Sequence, residues 1–210
     1  KIALIVPVYN EKDNIIPFLE QAITAVEKIN ISYEIIFVAD PSEDGTVELI
    51  LDRIKYNKNI KLIVMSRRFG QPAALLAGIK NTDADYAVLI DVDLQDPPEL
   101  IPEMYQQAKL GFDVVMARRN KKIGENFIRK IISSIGYKII SKLSDTNIPE
   151  NVGEFRLISK KIINNIRSME ERDFFLRGII SYIGFKQKII NFDRISRKQG
   201  ETKYNKYFGS

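Results

Sequence analysis

The chain has 210 residues, of which 45% are hydrophobic and 28% are charged, and its formal net charge is +5. This length is enough for one substantial core, and the composition is ordinary for a folded domain. The sequence contains no Cys and no His, which excludes disulfides, thiolate nucleophiles, histidine bases and metal sites built on those residues. Any catalysis therefore depends on carboxylates, Lys, Arg, Tyr, Ser or Thr, or on a hard cation such as Mg²⁺ or Mn²⁺.

Short apolar runs alternate with amphipathic stretches in the first half of the chain. The apolar runs predict strands, and the amphipathic stretches predict helices. In chain order they are a strand over Lys1–Val8, a helix over Asn10–Lys28, a strand over Tyr33–Ala39, a helix over Gly45–Tyr56, a strand over Ile60–Met65, a helix over Pro72–Lys80, a strand over Tyr86–Asp91, a helix from Asp96 to about Leu110 and a strand over Asp113–Ala117. Because helices separate the strands, we predict an α/β fold with a mostly parallel sheet covered on both faces.

The second half contains a long amphipathic stretch, Glu125–Leu143, with its apolar residues on one stripe and its Lys and Arg largely off it. This pattern fits a helix that packs on the core and equally a basic helix at a membrane interface. The predicted elements that follow are a strand over Asn151–Ile158, helices over Lys160–Ser168 and Phe174–Ile183, and a strand over Gln187–Phe192. No linker or repeat divides the sequence, so 1–210 is predicted to be a single domain with a C-terminal helical and β extension.

Acidic side chains follow several predicted strands at their carboxyl ends, which is where open α/β sheets bind ligands. Residues two apart on an extended chain face the same way, so Asp91 and Asp93 should point into one space, with Gln95 on the same side. Two carboxylates there would repel each other unless a cation lay between them. We therefore favour a metal site over a loop of solvated acids.

Other acids near this edge have structural alternatives. Asp96 is interpreted as the N-cap of the following helix, and Asp44 as part of a turn. Asp40 directly follows its strand and could accept hydrogen bonds from a base or ribose, although a turn is the alternative. Glu11 could be an acid of the first helical turn, and Tyr9 could be a core residue. The sequence has no glycine-rich phosphate loop, so the phosphates of a nucleotide would depend on a metal and on Arg or Lys.

Several motifs, in their order along the chain, resemble a known family. They are Val6–Glu11, Asp40 with Asp44–Thr46, Asp91–Glu99, Gly153–Leu157 and the Arg197–Tyr204 segment. The set resembles the family 2 glycosyltransferases with a GT-A fold. Within that family it is similar to the polyprenyl-phosphate glycosyltransferases, the group that includes dolichyl-phosphate mannose synthase. The resemblance implies a nucleotide-sugar and metal half over 1–120 and an acceptor and membrane-proximal half over 121–210.

The resemblance also implies roles for the matching residues. The nucleotide sugar would be bound by Pro7, Tyr9, Glu11, Asp40, Asp91, Arg197 and Lys203. The metal, Mg²⁺ or Mn²⁺, would be held by Asp91, Asp93 and Gln95, and the acceptor phosphate by Arg118, Arg129 and Ser133. The catalytic set would be Asp91, Asp93 and Glu154, where Glu154 stands at a position that is often Asp in bacterial relatives.

The implied reaction is inverting transfer of a hexosyl group from a nucleotide diphosphate sugar, with UDP favoured over GDP, to a polyprenyl phosphate. It would occur at the cytoplasmic face of the cell membrane, and the resemblance implies transmembrane helices beyond residue 210. The alternatives are a soluble relative with a glycan or protein acceptor, a nucleotidyltransferase, and a basic nucleic-acid-binding module. The missing glycine-rich loop argues against the second, and the acids at the sheet edge argue against the third. The sugar, the polyprenol length and a homo-oligomeric state stay open.

Overall fold

The computed structural model describes residues 1–120, 152–169 and 184–193. The strands are β1 (Ile2–Val8), β2 (Tyr33–Ala39), β3 (Ile60–Val64), β4 (Tyr86–Leu89), β5 (Val114–Arg119), β6 (Val152–Ser159) and β7 (Gln187–Phe192). The helices are α1 (Lys12–Glu27), α2 (Thr46–Tyr56), α3 (Gln71–Lys80), a 3₁₀ turn (Pro98–Leu100), α4 (Ile101–Lys109) and α5 (Lys160–Ser168). The helices predicted over Glu125–Leu143 and Phe174–Ile183 lie outside the described residues.

The seven strands form one sheet in the order β3-β2-β1-β4-β6-β5-β7. The first four strands pair in parallel, as do β5 and β7, which confirms the prediction of a mostly parallel sheet. β6 lies between β4 and β5 and runs antiparallel to both. Because β6 runs the other way, its first residues lie at the same edge as the last residues of β4 and β5. This order brings Gly153 and Glu154 beside the segment that follows β4.

Helices cover both faces of the sheet, because its central strands are apolar on both sides. On one face α1, α2 and α4 pack through buried residues such as Phe18, Ile50 and Met104. On the other face α3 and α5 pack through residues such as Leu75 and Ile163. Of the helices that the structure describes, none is both long and apolar enough to span a bilayer.

Two predicted boundaries are wrong in the segment between β4 and α4. β4 ends at Leu89 and not at Asp91, because the chain turns over residues 92–93 and Leu94 adopts a φ of 57°. The following helix begins with the 3₁₀ turn at Pro98, and no side chain caps it. Asp96 is therefore not the N-cap that we predicted. Its carboxylate is buried and is engaged by an arginine on β5.

Position 78 on α3 has no room for a side chain. A Cβ on Gly78 would lie 2.3 Å from Cγ2 of Ile5 on β1, and the β-branched Ile5 is fully buried and cannot turn aside. We expect Gly78→Ala to lower the free energy of unfolding by about 1–3 kcal/mol, despite the better helix propensity of Ala. Urea unfolding measures this change. In an Ile5→Ala background the same substitution should cost little, and an equal cost in both backgrounds would contradict the close contact.

Candidate active site

The segment after β4 presents Asp91 and Asp93 at the C-terminal edge of the sheet. Oδ1 of Asp93 accepts a hydrogen bond from the backbone N–H of Gln95 at 3.1 Å, which closes a tight turn. Leu94, inside that turn, has a φ of 57°, a left-handed conformation that is uncommon for a non-glycine residue. The extended geometry on which we based the pairing of the two acids is therefore wrong. The turn nevertheless keeps the charges of Asp91 and Asp93 close enough to interact.

Four carboxylates gather here: Asp91, Asp93, Asp96 and Glu154. Burial, with the charges of Asp96, Asp93 and Glu154, raises the pKa of Asp91 to about 7, although a hydrogen bond from Gln71 acts in the opposite direction. Within the described ranges, no three acidic side chains lie close enough to form a complete metal site by themselves. Mg²⁺ commonly binds one or two carboxylates together with substrate phosphates. The excess negative charge therefore fits a hard cation whose remaining ligands come from a bound diphosphate.

Removing the charge of Asp91 is expected to stabilise the metal-free protein. The pKa in the folded state is about 7, above the ordinary value of about 4. Folding therefore disfavours the ionised form, and this penalty grows from about pH 4 to pH 7 and is complete above it. In EDTA, Asp91→Asn should raise the free energy of unfolding by roughly 1–3 kcal/mol at pH 8, and by little at pH 4.5. Urea unfolding at the two pH values checks this, and a variant less stable at pH 8 would contradict the repulsion.

Arg119, at the end of β5, places a positive charge among these acids. Its Nε and Nη2 donate to Oδ1 of Asp96 at 3.2 and 2.8 Å. Arg118, which we predicted to bind the acceptor phosphate, is directed towards β7, where its Nε donates to Oδ1 of Asn191 at 2.9 Å. The role of Arg118 stays a prediction. Sequence reasoning did not single out Arg119, because two adjacent arginines look alike until the strand directs one of them to the acids.

The first residues of β6 add Glu154 and a buried arginine. Arg156 is fully buried, and its Nη2 and Nε donate to the carbonyl oxygens of Gly153 and Glu154 at 2.8 and 3.3 Å. The same Nη2 lies 3.4 Å from Oε2 of Glu154. Arg156 therefore fixes the backbone at Glu154, and its charge lies close to the Glu154 carboxylate, which also interacts with Asp91. The only sequence signal for it was its place in the Gly153–Leu157 motif.

Asp40 anchors the loop that leads from β3 into α3. Its two carboxylate oxygens accept hydrogen bonds from the backbone N–H groups of Phe69 and Gly70, at 3.2 and 2.9 Å. Asp40 itself is almost fully buried. These contacts give it a structural role that we had not predicted. Its predicted contact with a base or ribose stays a prediction.

The segment after β1 lies beside this loop. Tyr9 is half-buried, and the guanidinium carbon of Arg68 lies 4.1 Å from the centroid of its ring, so a cation and not the core covers that face. The backbone N–H of Glu11 donates to Oγ1 of Thr46 at 2.9 Å, and its Oε2 accepts from the amide of Asn14 at 2.6 Å. Glu11 is therefore the N-cap residue of α1 and not the acid of the first helical turn that was the alternative, since α1 begins at Lys12. The nucleoside roles predicted for Pro7, Tyr9 and Glu11 stay predictions, and Arg68 is a neighbour that the sequence did not reveal.

The remaining predicted site residues are not placed by this geometry. Gln95 is nearly buried beside Asp93, and its metal contact stays a prediction. The other four lie outside the described residues, so their roles also stay predictions: Arg129, Ser133, Arg197 and Lys203.

Known proteins share this sequence pattern. The family model described as Glycosyl transferase family 2 matches residues 3–167. The chain belongs to glycosyltransferase family 2. This family 2 glycosyltransferase is 37% identical over 205 residues to an uncharacterised glycosyltransferase of Synechocystis sp.. That alignment covers 98% of this chain and 64% of the relative. It is also 37% identical over 207 residues to a prophage bactoprenol glucosyl transferase homologue of Escherichia coli. This second alignment covers 98% of this chain and 67% of the relative. The chain thus spans about two thirds of the length of these curated relatives.

The solved structure of another protein has the same fold as this family 2 glycosyltransferase. A mannosyltransferase of Pyrobaculum calidifontis, in complex with GDP-Man and Mn²⁺, aligns with a TM-score of 0.61 at 15% identity. The alignment covers 94% of this chain and 58% of the mannosyltransferase. The likeness confirms the predicted GT-A fold.

Proposed function

We propose that this chain is the catalytic domain of a metal-dependent, inverting glycosyltransferase that moves a hexosyl group from a nucleotide diphosphate sugar to a polyprenyl phosphate. The observation that carries the proposal is the group of four carboxylates that includes Asp91: the burial of Asp91 and the charges of the other three raise its pKa. They lie at the sheet edge where α/β folds bind ligands. The identity to a bactoprenol glucosyl transferase homologue supports the lipid phosphate as acceptor.

Asp91 and Asp93 would hold Mg²⁺ or Mn²⁺, with the Gln95 amide oxygen as a third ligand. Hard oxygen donors are what these ions prefer. When bound, the metal supplies Lewis-acid stabilisation of the leaving diphosphate. The Mn²⁺ in the complex of the Pyrobaculum mannosyltransferase supports a divalent metal in this fold.

The nucleoside would bind between the ends of β1 and β2. Pro7, Tyr9, Glu11 and Asp40 lie there, and the cation of Arg68 against Tyr9 would add positive charge near the donor. Arg197 and Lys203 would neutralise the diphosphate from the C-terminal segment. A UDP-sugar is the favoured donor, and a GDP-sugar is the alternative.

The acceptor phosphate needs no strong general base. A phosphate monoester has a second pKa near ~6, so it is already largely dianionic at neutral pH. Two arginines and one hydroxyl, Arg118, Arg129 and Ser133, would orient it. Arg119 is a further candidate because its guanidinium lies at the same sheet edge as the acids. Glu154, held in place by Arg156, would face the sugar. A single displacement by the phosphate oxygen would invert the anomeric carbon.

The reaction would take place at the cytoplasmic face of the membrane, because a polyprenyl phosphate is anchored in the bilayer. The basic amphipathic stretch Glu125–Leu143 would bring the active site to that surface. Each Lys or Arg close to an anionic membrane contributes about 1 kcal/mol of binding.

A thermal-shift screen tests the donor and the metal together. A ligand that binds only the folded state stabilises it by mass action, by about 2.7 kcal/mol at 100 times its Kd. We expect UDP-hexoses or GDP-mannose to raise the melting temperature with Mn²⁺ and much less with EDTA, whereas ATP serves as a control without effect. If no nucleotide sugar shifts the transition, the proposed function is wrong. Equal shifts with Mn²⁺ and with EDTA would remove the metal from it.

A further inference from the structure

Gln71 is a contact of Asp91 that the proposed mechanism does not use. Its Nε2 donates a hydrogen bond to Oδ1 of Asp91 at 2.5 Å. Gln71 is the first residue of α3, whereas Asp91 follows β4, so the bond joins two separate elements at the edge that carries the acids. Among the described residues, the structure shows no second hydrogen-bond donor to Asp91.

Hydrogen bonds hold the backbone on both sides of Gln71 in place. Asp40 binds the N–H groups of Phe69 and Gly70, and the carbonyl of Gly70 accepts from the N–H of Ala74 at 3.1 Å, which begins α3. Gly70 has a φ of 85°, a positive value that glycine adopts without strain. The Gln71 side chain is exposed, but it extends from this well-anchored base towards Asp91.

A neutral amide is a suitable hydrogen-bond donor to a carboxylate that also has to bind a cation. It fixes one oxygen of Asp91 and leaves the negative charge in place, whereas Lys or Arg at this position would offset the charge and compete with a metal. Partners of this kind orient metal-binding carboxylates, and their loss typically lowers metal affinity about 10–100-fold.

We propose that Gln71 is a positioning residue for Asp91, whose amide holds Oδ1 so that the carboxylate is oriented towards the divalent cation. This inference rests on the proposed function, because it takes Asp91 as a metal-binding residue. It predicts that an exposed side chain with no direct metal contact sets the metal affinity of the site.

Mn²⁺ binding can be measured without catalysis, because the EPR signal of free Mn²⁺ disappears when the ion binds. We would titrate Mn²⁺ into the protein with UDP, and separately with GDP, for the wild type, Gln71→Met and Gln71→Ala. Methionine is close in size to glutamine and lacks the amide. Gln106→Met, at an exposed position on α4, is the matched control. We expect the Kd for Mn²⁺ to rise about 10-fold in both Gln71 variants and to stay unchanged in the control, with unchanged urea midpoints in all three.

Asp91→Asn in the same titration separates this inference from the proposed function. If Asp91→Asn removes Mn²⁺ binding and both Gln71 variants bind like the wild type, the positioning role is wrong and the proposed function stands. If Asp91→Asn binds Mn²⁺ like the wild type, the metal site itself is misplaced and both claims are wrong. A loss of affinity in the Gln71 variants that matches a loss in the Gln106 control would also overturn the positioning role.

Discussion

Replacing Asp93 by asparagine is expected to lower the rate of sugar transfer about 10³-fold and to leave the fold intact. Asparagine keeps the Oδ1 acceptor for the N–H of Gln95, so the turn survives, whereas the charge that would hold the cation is lost. A factor of 10³ corresponds to about 4 kcal/mol of transition-state stabilisation, within the range expected for a catalytic metal. Transfer of labelled sugar to undecaprenyl phosphate in detergent micelles, at saturating Mn²⁺, measures this loss.

Glu103→Gln is the matched control for Asp93→Asn. It removes one negative charge from an exposed position on α4, and transfer should continue at the wild-type rate. Neither variant should unfold at a lower urea concentration than the wild type. If Asp93→Asn keeps more than roughly a tenth of the wild-type rate, a loss below about 1.4 kcal/mol, its charge does not serve the reaction.

Replacing Arg119 by methionine is expected to lower the free energy of unfolding by about 2–4 kcal/mol. Its partner Asp96 has a side chain only 3% exposed, so the substitution removes a positive charge from beside a buried carboxylate that lies next to other acids. Because the Arg119 side chain is itself 31% exposed, we expect less than the loss for a fully buried pair. Urea unfolding at pH 8, where the acids are ionised, measures the change.

Arg118→Met is the control for this prediction, since it makes the same substitution one residue away on β5. Its described partner, Asn191, is neutral and exposed, so we expect a loss of less than about 1 kcal/mol. Arg119→Met combined with Asp96→Asn should recover much of the loss, because the buried negative charge that Arg119 offsets is then removed as well. Equal losses for Arg118→Met and Arg119→Met would contradict the placement of Arg119 among the acids.

Most of the strands and helices that the structure describes could be predicted because each has a clear period. β2, α5 and β7 have the bounds that the sequence predicted. The segment after β4 could not be predicted in the same way, because a turn with Leu94 in a left-handed conformation has no sequence signature such as Asn-Gly. The place of β6 between β4 and β5 depends on pairing between residues far apart in sequence, which periodicity does not report.

Asp91 and Asp93 could be predicted because the carboxyl ends of parallel strands meet at one edge. Glu154, at the start of the antiparallel β6, followed only from the family resemblance, and Asp96 was wrongly predicted to be an N-cap. The partners of these acids could not be predicted. Arg118 and Arg119 have different partners because successive side chains on β5 point in different directions. Which of them meets the acids also depends on an irregularity in the pairing with β6 between Met116 and Arg118, and the sequence does not indicate it. Gln71 is an exposed residue at the start of α3, and nothing in the sequence indicates that it reaches Asp91. That contact depends on the loop before α3, which Asp40 holds in place.

The central claim is that Asp91 and Asp93 together bind a divalent cation that faces the diphosphate of a nucleotide sugar. An anomalous difference map at the manganese edge, from a crystal containing Mn²⁺ and a UDP-hexose, tests it most directly. The account predicts a peak roughly 2.0–2.6 Å from a carboxylate oxygen of each residue. A bound donor with no peak there, and with both carboxylates turned to solvent, would contradict it.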